Sequence, residues 1–89
     1  MSAQKKLSQY SVPELKKILQ SLNTFYKVES VSDSADLFGQ GLLDSLILIQ
    51  YVMAVEKTFK IQIQNQHINY DNFKTFDTIK SVLDTHYTN

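Results

Sequence analysis

Between Leu46 and Phe59 the chain repeats apolar residues at helical spacing on two sides at once. Leu48, Tyr51, Val52, Val55 and Phe59 fall on one face, and Leu46, Ile49 and Met53 fall on another at i, i+3 and i+7. Such periodicity is that of a helix, and few folds have room for one this apolar. A small bundle can turn only one stripe fully inward. The first is therefore expected in the core, where truncating a Val or Leu to alanine costs roughly 2–5 kcal/mol. The second is expected to face partner proteins. The competing expectation is a helix central enough to bury both.

The flanking sequence supplies further helices and their punctuation. Residues 1–11 lack a clear period and are expected to form a flexible lead, ahead of one domain over residues 12–87. Ser11-Val12-Pro13-Glu14 has the form of a capping box. Leu15, Ile18, Leu19 and Leu22 then make one stripe, with Lys16, Lys17 and Gln20 on the wet side and an end near Phe25. From Lys27 to Asp36 small and polar residues without a period predict a loop, with Leu37 and Phe38 as buried anchors near its end. Gly39 and Gly41 allow unusual backbone angles just before Asp44, a good N-cap for a helix that starts at Ser45 and ends near Lys57 or Phe59.

The alternation Ile61-Gln62-Ile63-Gln64 would suit a strand, yet the sequence offers it no partner, so an extended connector is predicted. Asn69 to Phe73 reads as one short helical turn. Thr75 can cap a last helix carrying Phe76, Ile79, Val82 and Leu83 at helical spacing. The predicted fold class is all-α, a small four-helix bundle of three main helices plus one short one.

Composition narrows the chemistry. The 89 residues suffice for one domain, and there is no cysteine, so disulfides, thiolate metal sites and a thiol nucleophile of the polypeptide's own are excluded. All nine basic residues are lysine and they balance nine acids. A nucleic-acid binder would carry a basic excess and arginine, so that partner is not expected. The apolar runs are too short to span a bilayer and no apolar signal segment follows Lys5 and Lys6; no membrane insertion and a cytoplasmic location are expected. His67 and His86 are read as surface residues without metal-ligand spacing, so no metal site is expected. Gly39 and Gly41 lack the Gly-Lys-Ser/Thr element of a phosphate loop. No activating base or Ser-His-acid pattern attends Ser45, so no catalytic residue is assigned and the chain is not expected to be an enzyme.

The segment Asp36-Leu37-Phe38-Gly39-Gln40-Gly41-Leu42-Leu43-Asp44-Ser45-Leu46 resembles the phosphopantetheine-attachment region of acyl and peptidyl carrier proteins, with Asp44-Ser45-Leu46 at its centre. Glu56-Lys57-Thr58-Phe59-Lys60-Ile61-Gln62-Ile63 and Asn72-Phe73 fit the same pattern in register, and the likeness covers roughly residues 12 to 85. It implies a discrete, stand-alone carrier of acyl-carrier-protein-like fold. Ser45 would receive 4'-phosphopantetheine from coenzyme A through a separate phosphopantetheinyl transferase. Asp44 would assist recognition by that transferase, a role compatible with plain N-capping, and Leu46 would touch partners. The implied partners are the transferase, an acyl- or aminoacyl-loading enzyme and a downstream transferase or synthase, with the carrier itself a monomer.

Ser45 on the first helical turn would place the phosphodiester beside unpaired amides and the positive end of the helix dipole. The outward stripe with Gln50 then becomes the partner face: Leu46, Ile49, Gln50 and Met53. One departure from the resemblance matters. Fatty-acid carriers bear acids along this helix, whereas this chain has Ile47, Gln50 and Lys57 there and keeps only Asp44 and Glu56. A dedicated polyketide, peptide or aminoacyl-ester pathway is expected instead. The alternative is an unmodified helical adaptor of carrier fold that acts only by binding proteins.

Overall fold

The computed structural model describes residues 9–88. Four α-helices form the frame: α1 (Val12–Leu22), α2 (Ser45–Phe59), α3 (Tyr70–Phe73) and α4 (Phe76–His86). Short 3₁₀ turns at Val28–Ser30 and Asn65–His67 interrupt the connections. Among the described residues there is no strand, and Ile61–Gln64 is the extended connector that its sequence predicts.

One apolar core holds the helices together. Leu15, Ile18 and Leu19 of α1 meet Tyr51, Val52 and Val55 of α2, with Phe73 of α3 and Phe76, Ile79, Val82 and Leu83 of α4 closing the cluster. Burial of this kind contributes about 1.5–3 kcal/mol for each large side chain, which outweighs helix propensity in a domain this small. The Tyr51 hydroxyl is buried and donates to the Leu15 carbonyl at 3.0 Å, so α1 and α2 are also bonded to each other. Burial pushes that phenol's pKa up.

The helix ends follow the residues that mark them, with two corrections. Asp44 accepts from the Ile47 amide at 2.8 Å and caps α2. Thr75 caps α4, and Thr78 returns the bond, which makes a complete capping box there. At α1 only the serine half of the predicted box forms, with Ser11 accepting from the Glu14 amide at 3.3 Å. The first helix also ends at Leu22 rather than near Phe25. Asn23 takes an extended backbone, and its side-chain oxygen accepts from the Phe25 amide. Gln20, read as wet, organises the turn: it donates to the carbonyls of Asn23 and Tyr26 and accepts from the Val28 amide.

Three further residues lie deeper than their sequence setting suggests. Tyr10, in the predicted lead, is buried, with its hydroxyl donating to the Tyr87 carbonyl at 2.6 Å and its ring edge-on to Phe59. The remainder of that lead, residues 1–8, lies outside the described residues. Val28 is fully buried beneath the polar loop. Lys16, placed on the wet side, keeps only 13% of its side chain exposed; it pairs with Asp33 at 2.9 Å and donates to the Val31 carbonyl. Its aliphatic stem covers apolar surface while the ammonium fixes the loop.

The two ends of α2 offer a direct test of these local effects. Asp44→Ala should lower stability by about 1 kcal/mol through loss of the N-cap. Lys60 ends the helix at φ 58°, a left-handed conformation that a non-glycine residue adopts at a cost. Lys60→Gly should therefore raise stability by about 0.5–1 kcal/mol. Urea denaturation of both variants should show midpoints moving in opposite directions with little change in slope.

Candidate functional site

The site begins in the loop that leads into α2. Leu37, Leu42 and Leu43 are buried although none is helical. The Leu37 amide donates to the Lys74 carbonyl at 2.7 Å, while its own carbonyl accepts from the amides of Leu42 and Leu43 at 2.9 and 3.1 Å. These contacts draw the loop into a closed turn that delivers Asp44 and Ser45 at a fixed point. Gly41 sits at φ 78°, where a side chain would be strained. Gly39 serves a different need: a Cβ there would come within 3.2 Å of the Asp36 carboxyl group.

Asp36 organises the outer side of the same turn. One carboxylate oxygen accepts from the amides of Phe38 and Gly39, both at 3.1 Å, and the other accepts from the Tyr70 hydroxyl at 2.9 Å. The Gly39 amide chiefly, with the Tyr70 hydroxyl, the Phe38 amide and nearby Lys74, holds its pKa below the ordinary value. The Tyr70 phenol is pushed up in turn, mainly by that hydrogen bond to the carboxylate.

Ser45 itself is exposed, in the first turn of α2, and among the described residues its side chain has no hydrogen-bond partner. The Asp44 carboxylate accepts from the Ile47 amide and its carbonyl from the Leu48 amide, and no acidic residue follows in the first turn. The free amides at a helix start and the dipole behind them favour an anion by about 0.3–1 kcal/mol, enough to bias the placing of a phosphodiester but not to drive chemistry. The open surface and anion-tolerant surroundings fit a phosphate-linked group on this oxygen.

Beyond Ser45 the helix separates its two stripes as the spacing predicts. Tyr51, Val52 and Val55 are buried, and Leu48 and Phe59 are half-buried against the core. Leu46, Ile49 and Met53 are 67%, 50% and 60% exposed, with Gln50 exposed among them. The central-helix alternative, with both stripes buried, does not hold. Phe25, 94% exposed, and Tyr26 and Tyr70, about half exposed, add apolar surface that periodicity could not reveal because each lies in a turn or a single-turn helix. Tyr26 places its hydroxyl beside Gly41.

The histidines are paired rather than separate surface residues. His67 is half-buried and stacks on exposed His86, ring centroids 4.3 Å apart. Its Nδ1 lies 2.7 Å from the Tyr87 hydroxyl, which also accepts from the Gln64 amide. Their sequence separation hid the contact. Among the described residues no group of three or more His, Cys, Asp or Glu could hold a metal ion, and no helix is long and apolar enough to cross a membrane.

Comparison with known proteins agrees with this geometry. A search of curated proteins finds no match to the chain. Residues 14–84 match the family described as phosphopantetheine attachment site, a span that contains the loop, α2, α3 and all but the last two residues of α4. Domains of this family carry 4'-phosphopantetheine covalently, and the chain belongs to that family of phosphopantetheine carriers.

Proposed function

We propose that Ser45 is the attachment point and that the protein carries acyl or aminoacyl intermediates between partner enzymes. The observation that carries this reading is an exposed serine, unpartnered among the described residues, on the first turn of α2 directly after Asp44 in the Gly41-Leu42-Leu43-Asp44-Ser45-Leu46 setting. When attached, the group supplies the terminal thiol that the cysteine-free polypeptide lacks, and with it a thioester link to cargo. The chain's own part is mechanical. It fixes the serine oxygen in space, keeps the first-turn amides beside the phosphodiester, and offers a recognition surface around the tether. Tethering raises the local concentration of cargo at each enzyme, so proximity comes from the carrier and chemistry from its partners.

In this reading Asp44 both caps α2 and marks the serine for the transferase, while Leu46, Ile49, Gln50 and Met53 form the docking stripe. Contact there is mainly apolar, because Gln50 and Lys57 stand where an acidic carrier would place carboxylates. This charge pattern supports a dedicated biosynthetic pathway rather than routine fatty-acid synthesis.

Intact-mass analysis tests the assignment. A phosphopantetheinyl transferase with coenzyme A should add one phosphopantetheine mass to the wild-type chain and none to Ser45→Ala, whose helical content should be unchanged. Full modification of the alanine variant would refute the site. No addition to the wild type, with partner binding retained, would favour the unmodified adaptor.

The stripe has its own test. Apolar burial is insensitive to moderate salt, whereas surface ion pairs are screened. Binding to a cognate enzyme should therefore change little between low and moderate ionic strength. Ile49→Asp should weaken that binding at least tenfold while cooperative melting persists, since the side chain lies outside the core. Unchanged binding would place the docking surface elsewhere, with the loop from Lys27 to Gly41 the next surface to test.

A further inference from the structure

We propose that Tyr70 is a positioning residue for Ser45, acting as an outer clamp on the loop that sets the start of α2. The inference rests on Ser45 being the attachment point. A series of hydrogen bonds runs from Tyr70 through Asp36 into the turn and ends at Leu42 and Leu43, the latter two residues before Ser45. The Tyr70 hydroxyl donates to Asp36 at 2.9 Å, and the Asp36 carboxylate gathers the Phe38 and Gly39 amides. The Asp36 carbonyl accepts from the Gln40 amide at 3.0 Å, and the Leu37 carbonyl accepts from Leu42 and Leu43, the residues just before Asp44 and Ser45.

The buried leucines hold only the inner side of this turn. Its outer side, from Gly39 to Gly41, is exposed and contains the chain's two glycines, so it needs a restraint from outside. Tyr70 supplies one from α3. Its ring centroid lies 5.2 Å from that of Phe38, and the Lys74 ammonium stands 5.9 Å from the centroid of the Tyr70 ring itself. The Leu37 amide bond to the Lys74 carbonyl ties the same two segments a second time. An apolar core contact would be indifferent to charge, but this clamp ends on a carboxylate. The ionisable groups facing Asp36 are Tyr70 and Lys74, and Asp71 acts on Tyr70.

The sign of the pH effect follows from the lowered pKa of Asp36. The clamp is fully formed above the ordinary carboxylate range and is lost as pH falls through the depressed folded value. A looser loop presents Ser45 correctly for a smaller fraction of the time, which raises the apparent KM in proportion and leaves the chemical step unchanged.

Tyr70→Phe removes the hydroxyl and keeps the ring. In the unmodified protein, acid titration of the Phe38 and Gly39 amide resonances should give a midpoint below the ordinary aspartate value, and Tyr70→Phe should raise it. Asp36→Asn, which cannot titrate, should abolish that transition and so confirms its source. With a transferase and coenzyme A, Tyr70→Phe should raise KM for the carrier about three- to fivefold with kcat unchanged. In an Asp36→Ala background it should add no further effect, because the clamp is already absent. An unmoved titration midpoint, an unchanged KM, or full additivity in the double variant would overturn the clamp. Failure of the wild type to accept the group, or modification of Ser45→Ala, would instead overturn the attachment reading, while the titration still reports on the Tyr70 bond.

Discussion

Leu37, Leu42 and Leu43 belong to no helix, yet all three are withdrawn from water, and the backbone between them closes on itself through the Leu37 carbonyl. An irregular segment can be buried only if its polar backbone groups find partners, and here the turn supplies them. The consequence is positional. A long loop that would otherwise fluctuate enters α2 at one place, with Asp44 capping and Ser45 facing solvent. Without those three apolar anchors the serine would sit at the end of a mobile connector, and the proposed attachment point would have no defined surface around it.

Helix α2 then distributes its apolar residues between two tasks. Tyr51, Val52 and Val55 hold the bundle together, and the hydroxyl of Tyr51 fixes α1 across the core. Leu46, Ile49 and Met53 remain outside, on the side of the helix that runs back from Ser45. Exposed side chains of this size stabilise nothing in the isolated domain, and they become useful when a second surface covers them. The same helix thus links a stable interior to the exposed stripe proposed as the docking surface, where sparse negative charge favours apolar contact.

The sequence is most legible where structure depends on neighbours a few residues away. Caps at Asp44 and Thr75, the spacing of Leu15, Ile18 and Leu19, and the division of α2 into two stripes all follow from local geometry. It is least legible where distant segments meet. Tyr10 has no periodic context, but Phe59 and the Tyr87 carbonyl give it a buried place. Lys16 and Gln20 look like wet-face residues until Val31, Asp33 and the turn after α1 are brought beside them. The His67–His86 stack and the Tyr70–Asp36 bond join residues 19 and 34 positions apart, which no spacing rule connects. The exposed place of Ser45 at the start of α2 is legible because Asp44 before it is a local cap.

The central claim is that Ser45 occupies a preformed site, so that adding the group requires no rearrangement of the bundle. Backbone amide chemical shifts compared before and after modification test it most directly. The account predicts changes confined to Gly41 through Ile49, with the resonances of Tyr51, Val55, Phe76 and Ile79 in the core unmoved. Shifts spread through α1 and α4, or loss of protection in the core, would contradict it.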